Sequence, residues 1–525
     1  MTQAIQTLLE QLKTLKKKDD WLGIYNKFQP IAELDQNDLI WNSPEVLSDL
    51  GFACAKLAET SPSEIPKDPK DKKDFLKQQA GYRKHAERIR KRCIELKPKD
   101  PTYRSNLAYT YYQNINELTQ PRGRRDGNLM KEIENFRTAV DEGLALNPKR
   151  VNDLYRKGYV LTKVLPNQIL WGKLNEDFAE KSKKANEVRE EGIQTLLSAK
   201  VKWENLGPDE EFWRKKYRKD YIKSLYALSR AYYDKIKQDW DASVFALNLR
   251  DDVPANWKVT IEQGDKENIE QAIQMIKECC LADCPSDIKQ GSSNLEKIAA
   301  HPSEHEGVDK LYSIGKLFFA KYWILSGYGL KETNEAIEAR ETTERYLKMA
   351  LKCKWSPQKA KQPKLFVAER LARSYISKKE YDQASTIIAE HTKNLKLESA
   401  ASYILHTSAL GLLKSGKIEG VQKFLDAAAE SNSNKDPWLT HFLKGCAYLE
   451  SNQIEHAQEH LDIAHQKAEQ VGKKNVDSLL IAKGFVACKS RNVSEALKFM
   501  EEAQRLNPNR VSVGERIRKW KQSEA

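Results

Sequence analysis

Small residues recur at a nearly constant interval near the C-terminus, and this repetition constrains the fold more than any single motif. Ala372, Ala409, Gly445 and Gly484 are separated by 37, 36 and 39 residues. Each is followed 12 residues later by a second small or branched residue, and four residues after that by a bulky apolar one. A period of this length predicts stacked helical hairpins rather than one compact core.

The physical reason for such a pattern is close contact between helices. Glycine or alanine on the first helix of a hairpin lets the second helix approach, and a bulky residue such as Leu461 or Met500 fills the remaining space. A hairpin of this kind cannot bury its apolar face alone, so neighbouring hairpins must stack. The pattern therefore predicts an all-α solenoid whose concave surface can bind a partner.

The same pattern continues toward the N-terminus but becomes irregular, with long polar insertions between helices. One insertion reads SPSEIPKDPKDKKD and another contains QPRGRRDGN. The stretch at 286–308 mixes Pro, Gly, Ser and His, which is typical of a linker. We expect an irregular basic array over 1–285, a hinge or linker over 286–308, a regular array over 309–511 and a capping helix over 512–525.

Composition favours a large helical protein in a reducing compartment. The chain has 525 residues, of which 40% are hydrophobic and 31% charged. It has no run of about 18 uncharged apolar residues, so we expect no contact with a membrane. Eight cysteines are scattered without short, regular spacings, which indicates reduced thiols. The expected location is the cytoplasm.

The repeats resemble those of the tetratricopeptide-repeat family. The resemblance is clearest over about 363–511, where Gly445 with Tyr448 and Ala457, and Gly484 with Ala496, fit the family pattern. It extends less regularly over 45–150. The chain departs from the family in its longer period, against about 34 residues, and in lacking the early tryptophan of each unit. The resemblance implies a right-handed α-solenoid and a non-catalytic scaffold or adaptor that assembles or regulates a protein complex.

One subclass of the family holds a C-terminal carboxylate with lysines and asparagines on the first helices. The positions that correspond here carry other residue types, which disfavours such tails as partners: Ser105, Glu369, His406, Phe442 and Ile481. Arginine and aromatic residues, which are typical interface anchors, instead occupy the positions expected to face the groove. These candidate groove residues are Tyr109, Tyr112, Arg373, Tyr403, His406, Phe442 and Phe485. The alternative is that they pack between helices.

Positive charge is concentrated in the N-terminal half, because residues 51–250 account for the whole formal net charge of +13. Three basic clusters carry much of it: Arg83, Lys84, Arg88, Arg90 and Lys91; Arg122, Arg124 and Arg125; and Arg214, Lys215, Lys216 and Arg218. Aromatic residues are interleaved with the third cluster, and such a mixture can hold RNA or DNA by phosphate attraction and base stacking. The alternatives are docking of an acidic protein surface and simple solvation of the helices, of which solvation is favoured because no nucleic-acid-binding motif accompanies the clusters.

No motif predicts catalysis, so we expect no enzyme, no cofactor, no metal and no small-molecule substrate. GLLKSGKI resembles a phosphate-binding loop, but Ile418 stands where a hydroxyl residue should hold magnesium. His456 and His460 have the spacing of metal ligands on a helix, but the order EHAQEH is not that of a metalloprotease, and a solvated helix face is the favoured alternative. Two hypotheses remain: a scaffold that binds a partner protein in its groove, and a nucleic-acid-associated subunit that uses the basic clusters.

Overall fold

The chain is all-helical wherever the computed structural model describes it. The described residues are 3–59, 68–119, 128–171, 178–236, 264–283, 304–327, 330, 332–353, 362–393, 396–397, 400–431, 436–470, 476–508 and 510–524. These residues contain no strand, and none of their helices is long and apolar enough to cross a bilayer. The chain divides into two compact units, Met1–Ala231 and Tyr232–Ala525.

The first unit consists of helices of unequal length. They are α1 Gln3–Lys17, α2 Trp21–Asn26, α3 Asp38–Trp41, α4 Pro44–Ala58, α5 Pro69–Leu96, α6 Pro101–Thr119, α7 Leu129–Leu146, α8 Val151–Tyr159, α9 Leu165–Trp171, α10 Phe178–Glu204 and α11 Glu211–Lys235, whose last turn extends into the second unit. A π-helical turn over Val160–Val164 joins α8 to α9. Helices α4 and α5, α6 and α7, and α8 and α10 pack in pairs.

Two glycines allow the closest helix contact in this unit. A Cβ atom at Gly158 of α8 would lie 2.5 Å from the Leu196 side chain of α10. A Cβ atom at Gly192 of α10 would lie 2.9 Å from the backbone nitrogen of Thr162. Since real side chains do not approach so closely, both positions require glycine for the α8–α10 pair to pack as it does.

The second unit contains a more uniform series of helices. They are α12 Asp265–Asp283, α13 Glu304–Gly327, α14 Asn334–Lys352, α15 Gln362–Ser377, α16 Tyr381–Thr392, α17 Ser402–Lys414, α18 Ile418–Glu430, α19 Pro437–Glu450, α20 Ile454–Gln470, α21 Asp477–Lys489, α22 Val493–Leu506 and α23 Val511–Glu524. From α13 to α22 each pair of consecutive helices forms a hairpin, and each hairpin packs on the next.

The predicted contact between small and bulky residues is present in these hairpins. A Cβ atom at Gly445 of α19 would lie 2.7 Å from the Leu461 side chain of α20. The corresponding distance from Gly484 of α21 to Met500 of α22 is 3.1 Å. In these two hairpins the repeated residues of the sequence therefore mark the line along which the two helices meet, as predicted.

The turns inside four successive hairpins repeat the same backbone geometry. Lys379, Gly416, Asn452 and Arg491 all have positive φ, between 60° and 74°. In every case the next residue donates its N–H to a carbonyl five residues earlier, at 2.8–2.9 Å, which closes the first helix as a Schellman-type cap. These turn residues recur at 37, 36 and 39 residues, the same intervals as the small residues. Gly416 thus lies in a helix turn rather than in a phosphate-binding loop.

The predicted linker lies almost entirely outside the described residues, since 284–303 are not described and 304–308 already belong to α13. The hinge over 286–308 and the array limits at 285 and 309 stay predictions. The boundary between the two compact units falls earlier in the sequence, after Ala231. The last described helix is α23, and its role as a cap of the array stays a prediction.

Candidate partner-binding surfaces

Two of the predicted groove residues come together on the first helices α15 and α17. Arg373 of α15 lies over the ring of Tyr403 of α17, with its guanidinium 5.8 Å from the ring centre. The Tyr403 ring also stacks on Phe366 of α15 at 6.2 Å with an interplanar angle of 10°. Tyr403 is 41% exposed, which is unusual for a large aromatic side chain in this array. Phe366, Arg370, Arg373 and Tyr403 are called the α15–α17 face below.

A buried polar network fixes the position of Arg373. Its Nε donates to Glu369, one turn earlier, and Thr407 of α17 donates its hydroxyl to the same carboxylate at 3.0 Å. Glu369 is only 1% exposed. Because a buried charge is costly unless it is paired and hydrogen-bonded, this network holds α15 and α17 in one register and keeps the Arg373 guanidinium beside Tyr403.

A cavity of about 270 Å³ adjoins the same face. Its lining residues come from the end of α11 and from α13 and α15: Tyr233, Asp234, Ile236, Phe319, Trp323, Arg370 and Arg373. Sequence reasoning did not identify this cavity. The only available signal was the run ERLARSY, in which two arginines lie three residues apart on a first helix.

The other predicted groove residues of the second unit are separate from this face and participate in packing. His406 is 2% exposed and its Nε2 lies 2.8 Å from the Thr440 hydroxyl. Burial lowers the pKa of His406 to about 4, so the ring is neutral at neutral pH. Phe442 is fully buried against Trp438. Phe485 is partly buried, between Arg516 at 4.5 Å and Trp520. Because His406 and Phe442 are buried, they support the alternative that these predicted groove residues pack between helices.

In the first unit Tyr109 and Tyr112 are half-buried and contact α8. Arg156 lies 4.4 Å above the Tyr109 ring, and the Tyr112 ring meets Tyr159 edge to face. Arg156 is in turn held by Asp153, a buried carboxylate. Both tyrosines therefore help to join α6 to α8.

The positions that would carry a carboxylate clamp are all buried. Ser105, Glu369, His406, Phe442 and Ile481 are each no more than 2% exposed. Ser105 donates to Asp153 at 2.7 Å, just as Glu369 and His406 bond to neighbouring helices. These positions tie hairpins together and present no row of cationic side chains to a peptide.

The first basic cluster divides between structural and exposed residues. Arg83 and Arg90 are 6% and 3% exposed. Arg83 pairs with Glu117 at 2.6 Å, and Arg90 donates to the Asn106 carbonyl and the Thr110 hydroxyl of α6. Their assignment to an exposed basic patch is corrected: a helix whose whole circumference is basic must bury some of that charge when neighbours pack on both sides.

The remaining residues of that cluster lie nearer the surface and are locally paired or solvated. Arg88 pairs with Asp35 at 2.7 Å, and Lys91 with Glu87 at 2.8 Å. Lys84 is exposed. The second cluster, Arg122, Arg124 and Arg125, lies outside the described residues.

The third cluster forms an exposed aromatic and basic surface at the start of α11. Phe212 and Trp213 are 68% and 40% exposed, and their rings meet edge to face at 5.2 Å. Lys216 lies 4.6 Å above the Trp213 ring. The four predicted basic residues, Arg214, Lys215, Lys216 and Arg218, are all exposed on this helix. We call Phe212, Trp213 and these four residues the α11 surface.

No protein-family model matches the chain, and no curated protein matches it. Solved structures that are similar to it include yeast Tom70, with 13% identity, a TM-score of 0.28 and coverage of 90% of this chain and 88% of that one. A human IFIT1 dimer with PPP-AAAA has 14% identity, a TM-score of 0.30 and coverage of 95% and 86%. The APC/C hetero-tetramer Cut9-Hcn1 has 12% identity, a TM-score of 0.31 and coverage of 97% and 95%. Sequence identities and TM-scores this low carry no information about partners. The tetratricopeptide-repeat resemblance rests on the chain's own repeated residues and hairpins.

Proposed function

We propose that this protein is a non-catalytic scaffold that binds a partner protein on the α15–α17 face. The observation that carries the proposal is the exposed Tyr403 ring, stacked on Phe366 and flanked by an arginine whose position is fixed by a buried carboxylate. Aromatic and arginine side chains dominate the energetics of protein interfaces. Because Arg373 is only 7% exposed, the Tyr403 ring supplies the contact and Arg373 holds it in place, so little side-chain entropy is lost on binding.

Site-specific photocrosslinking in the full-length chain tests this proposal. A benzoylphenylalanine at position 403 should crosslink a defined protein in cell extract, whereas the same group at position 201, where Val201 is 49% exposed in the first unit, should not. The crosslinked protein is then purified and its affinity measured directly. Tyr403→Ala should weaken binding by about tenfold or more, the effect expected of an interface anchor.

A matched control is Leu330→Ala, which removes a side chain of similar exposure, 41%, elsewhere in the second unit. Equal crosslinking at positions 201 and 403, or unchanged affinity of Tyr403→Ala, would contradict the proposal. Equal weakening by both alanine variants would show that the effect is not specific to the face.

The α11 surface favours a second candidate function, binding of single-stranded nucleic acid. Two exposed aromatic rings beside four exposed cations offer base stacking together with phosphate attraction. Anisotropy of a labelled single-stranded RNA should show binding at about 50 mM salt that weakens steeply by about 200 mM. Trp213→Ala should weaken it further, while Trp520→Ala, on α23 of the second unit, should not. Absence of binding at the lower salt concentration would exclude this candidate.

A further inference from the structure

The cavity beside the α15–α17 face contains a guanidinium whose Nε lacks a hydrogen-bond acceptor among the described residues. Arg370 Nε is buried and makes no hydrogen bond, and no ion pair of Arg370 is found in the described part of the chain. The ring centre of Phe319 lies 5.5 Å from the guanidinium. A buried charged donor without an acceptor is costly, so the cavity favours an occupant that accepts hydrogen bonds.

The carboxylate closest along the helix is already occupied. Glu369 accepts bonds from Arg373 and from Thr407. Arg370 and Arg373 are successive cationic positions of the same helix, yet only Arg373 is bonded to Glu369. Tyr233 and Glu369 act on the Arg370 charge electrostatically, but its Nε–H has no acceptor in the described part of the chain, so a ligand that accepts hydrogen bonds can satisfy it.

The rest of the lining indicates a singly charged group on an apolar stem. Phe319, Trp323 and Ile236 are 3%, 5% and 7% exposed and form apolar walls. Asp234, an exposed residue of the lining, adds a negative charge, so a doubly charged ligand is disfavoured more than a singly charged one. These features favour a carboxylate over a phosphate, which carries more charge. They also favour an aromatic or aliphatic group next to the carboxylate, because such a group would pack against Phe319 and Trp323.

We infer that this cavity accepts a carboxylate from an acidic residue of the partner protein, with an adjacent apolar side chain against Trp323. The inference rests on the proposed function, since it takes the occupant to be part of a protein. Arg370 supplies charge-assisted hydrogen bonds to the carboxylate, and the α15–α17 face continues the contact from Arg373 to Tyr403.

The inference is tested with a small probe and the full-length chain. Phenylpropionate carries a carboxylate on an aromatic stem, and phenylpropionamide is its neutral counterpart. Ligand-observed NMR titration should show binding of the acid and, because the charge-assisted bond is lost, binding of the amide that is weaker by roughly tenfold or more. Arg370→Gln should weaken binding of the acid to the level of the amide, and Arg370→Lys should restore part of it. Arg505→Gln, which removes an exposed arginine of α22, is the matched control and should leave binding unchanged.

Three results of these titrations would decide the question. Equal binding of acid and amide by the unaltered protein, or unchanged binding of the acid by Arg370→Gln, would overturn it. Tighter binding of phenyl phosphate than of phenylpropionate would overturn it in favour of a phosphate ligand. Should Arg370→Gln fail to fold, the comparison of acid and amide on the unaltered protein still decides the question.

The two proposals fail in different ways. If the probe binds in an Arg370-dependent way but no protein partner depends on Tyr403, the carboxylate site stands and the scaffold proposal is refuted. If a protein partner's affinity depends on Tyr403 but not on Arg370, the scaffold proposal stands and the carboxylate site is refuted.

Discussion

The hairpins α15 to α22 and the hairpins of Met1–Ala231 are held together differently. In the former, one turn geometry and one small-to-bulky contact recur at the same intervals. In the latter, each junction has its own buried charged group: Arg83 with Glu117, Arg90 with α6, and Asp153 with Arg150 and Arg156. A contact that depends on residue size can be repeated without change, whereas a buried polar group, including Glu369 between α15 and α17, must satisfy its own hydrogen bonds.

Acid should weaken the second unit more than the first. The histidines of the second unit that burial affects most are His406 and His441, each with its pKa lowered to about 4. In the first unit burial lowers the pKa of His85. Between pH values of about 6.5 and about 4, the unfolded chain binds protons at these histidines that the folded chain does not bind. The stability that the neutral histidines contribute is therefore complete above that window and is lost as the pH falls through it. The contribution of His406 is on the order of 3 kcal/mol.

Hydrogen-exchange mass spectrometry at about pH 7 and about pH 5, corrected for intrinsic exchange rates, measures this difference by region. The His406→Gln variant should depend less on pH, because an amide keeps a hydrogen bond to Thr440 without titrating. An equal loss of protection in both units would contradict the comparison.

Removal of a buried arginine should destabilise the first unit. Arg90→Met keeps most of the side-chain volume but leaves the Thr110 hydroxyl and the Asn106 carbonyl without this donor, so we expect a loss of about 2 kcal/mol in urea unfolding. Arg88→Met, on the same helix, removes only a partly exposed ion pair and should cost less than about 1 kcal/mol. Equal losses for the two variants would mean that Arg90 is no more structural than its exposed neighbour.

Gly192 and Gly484 should tolerate alanine differently, because the atoms that face them differ in how far they can move. Gly192→Ala would press a methyl group on the backbone nitrogen of Thr162, which cannot move away, so we expect a loss of about 2 kcal/mol. Gly484→Ala would meet the flexible end of Met500 at 3.1 Å and the backbone carbonyl of Ala496 at the less severe distance of 3.3 Å. Its steric cost should be offset by the better helix propensity of alanine, leaving a change within about 0.5 kcal/mol. Thermal unfolding of both variants measures the difference, and a larger loss for Gly484→Ala would contradict it.

The repeated turns should respond to glycine in a predictable way. Arg491 has a φ of 62°, which is strained for a residue with a Cβ atom, so Arg491→Gly should stabilise the protein by up to about 1 kcal/mol. Gly416→Ala, at the equivalent turn with a φ of 74°, should destabilise it by a similar amount. Urea unfolding gives both values. The same sign of change for the two substitutions would show that the turns are not equivalent.

The hairpins of the second unit were predictable from the sequence because their contacts depend on side-chain size. Gly445 and Leu461 identify a helix pair from spacing alone, and the observed packing agrees. The basic cluster of α5 was predictable only in part. Arginine is common on exposed helix faces, so the sequence offers no sign that α6 packs over Arg90 while Lys84 and Lys91 stay in water.

The sequence by itself determined an all-helical chain of repeating hairpins and the line along which their helices meet, because helix periodicity and residue size are local properties. Only the tertiary structure decided which charged and aromatic side chains reach the surface. It buried Arg83, Arg90 and Phe442, left Tyr403 and Trp213 accessible, and formed the cavity around Arg370. Exposure depends on which helices pack nearby, and that is a property of neighbours far away in the chain.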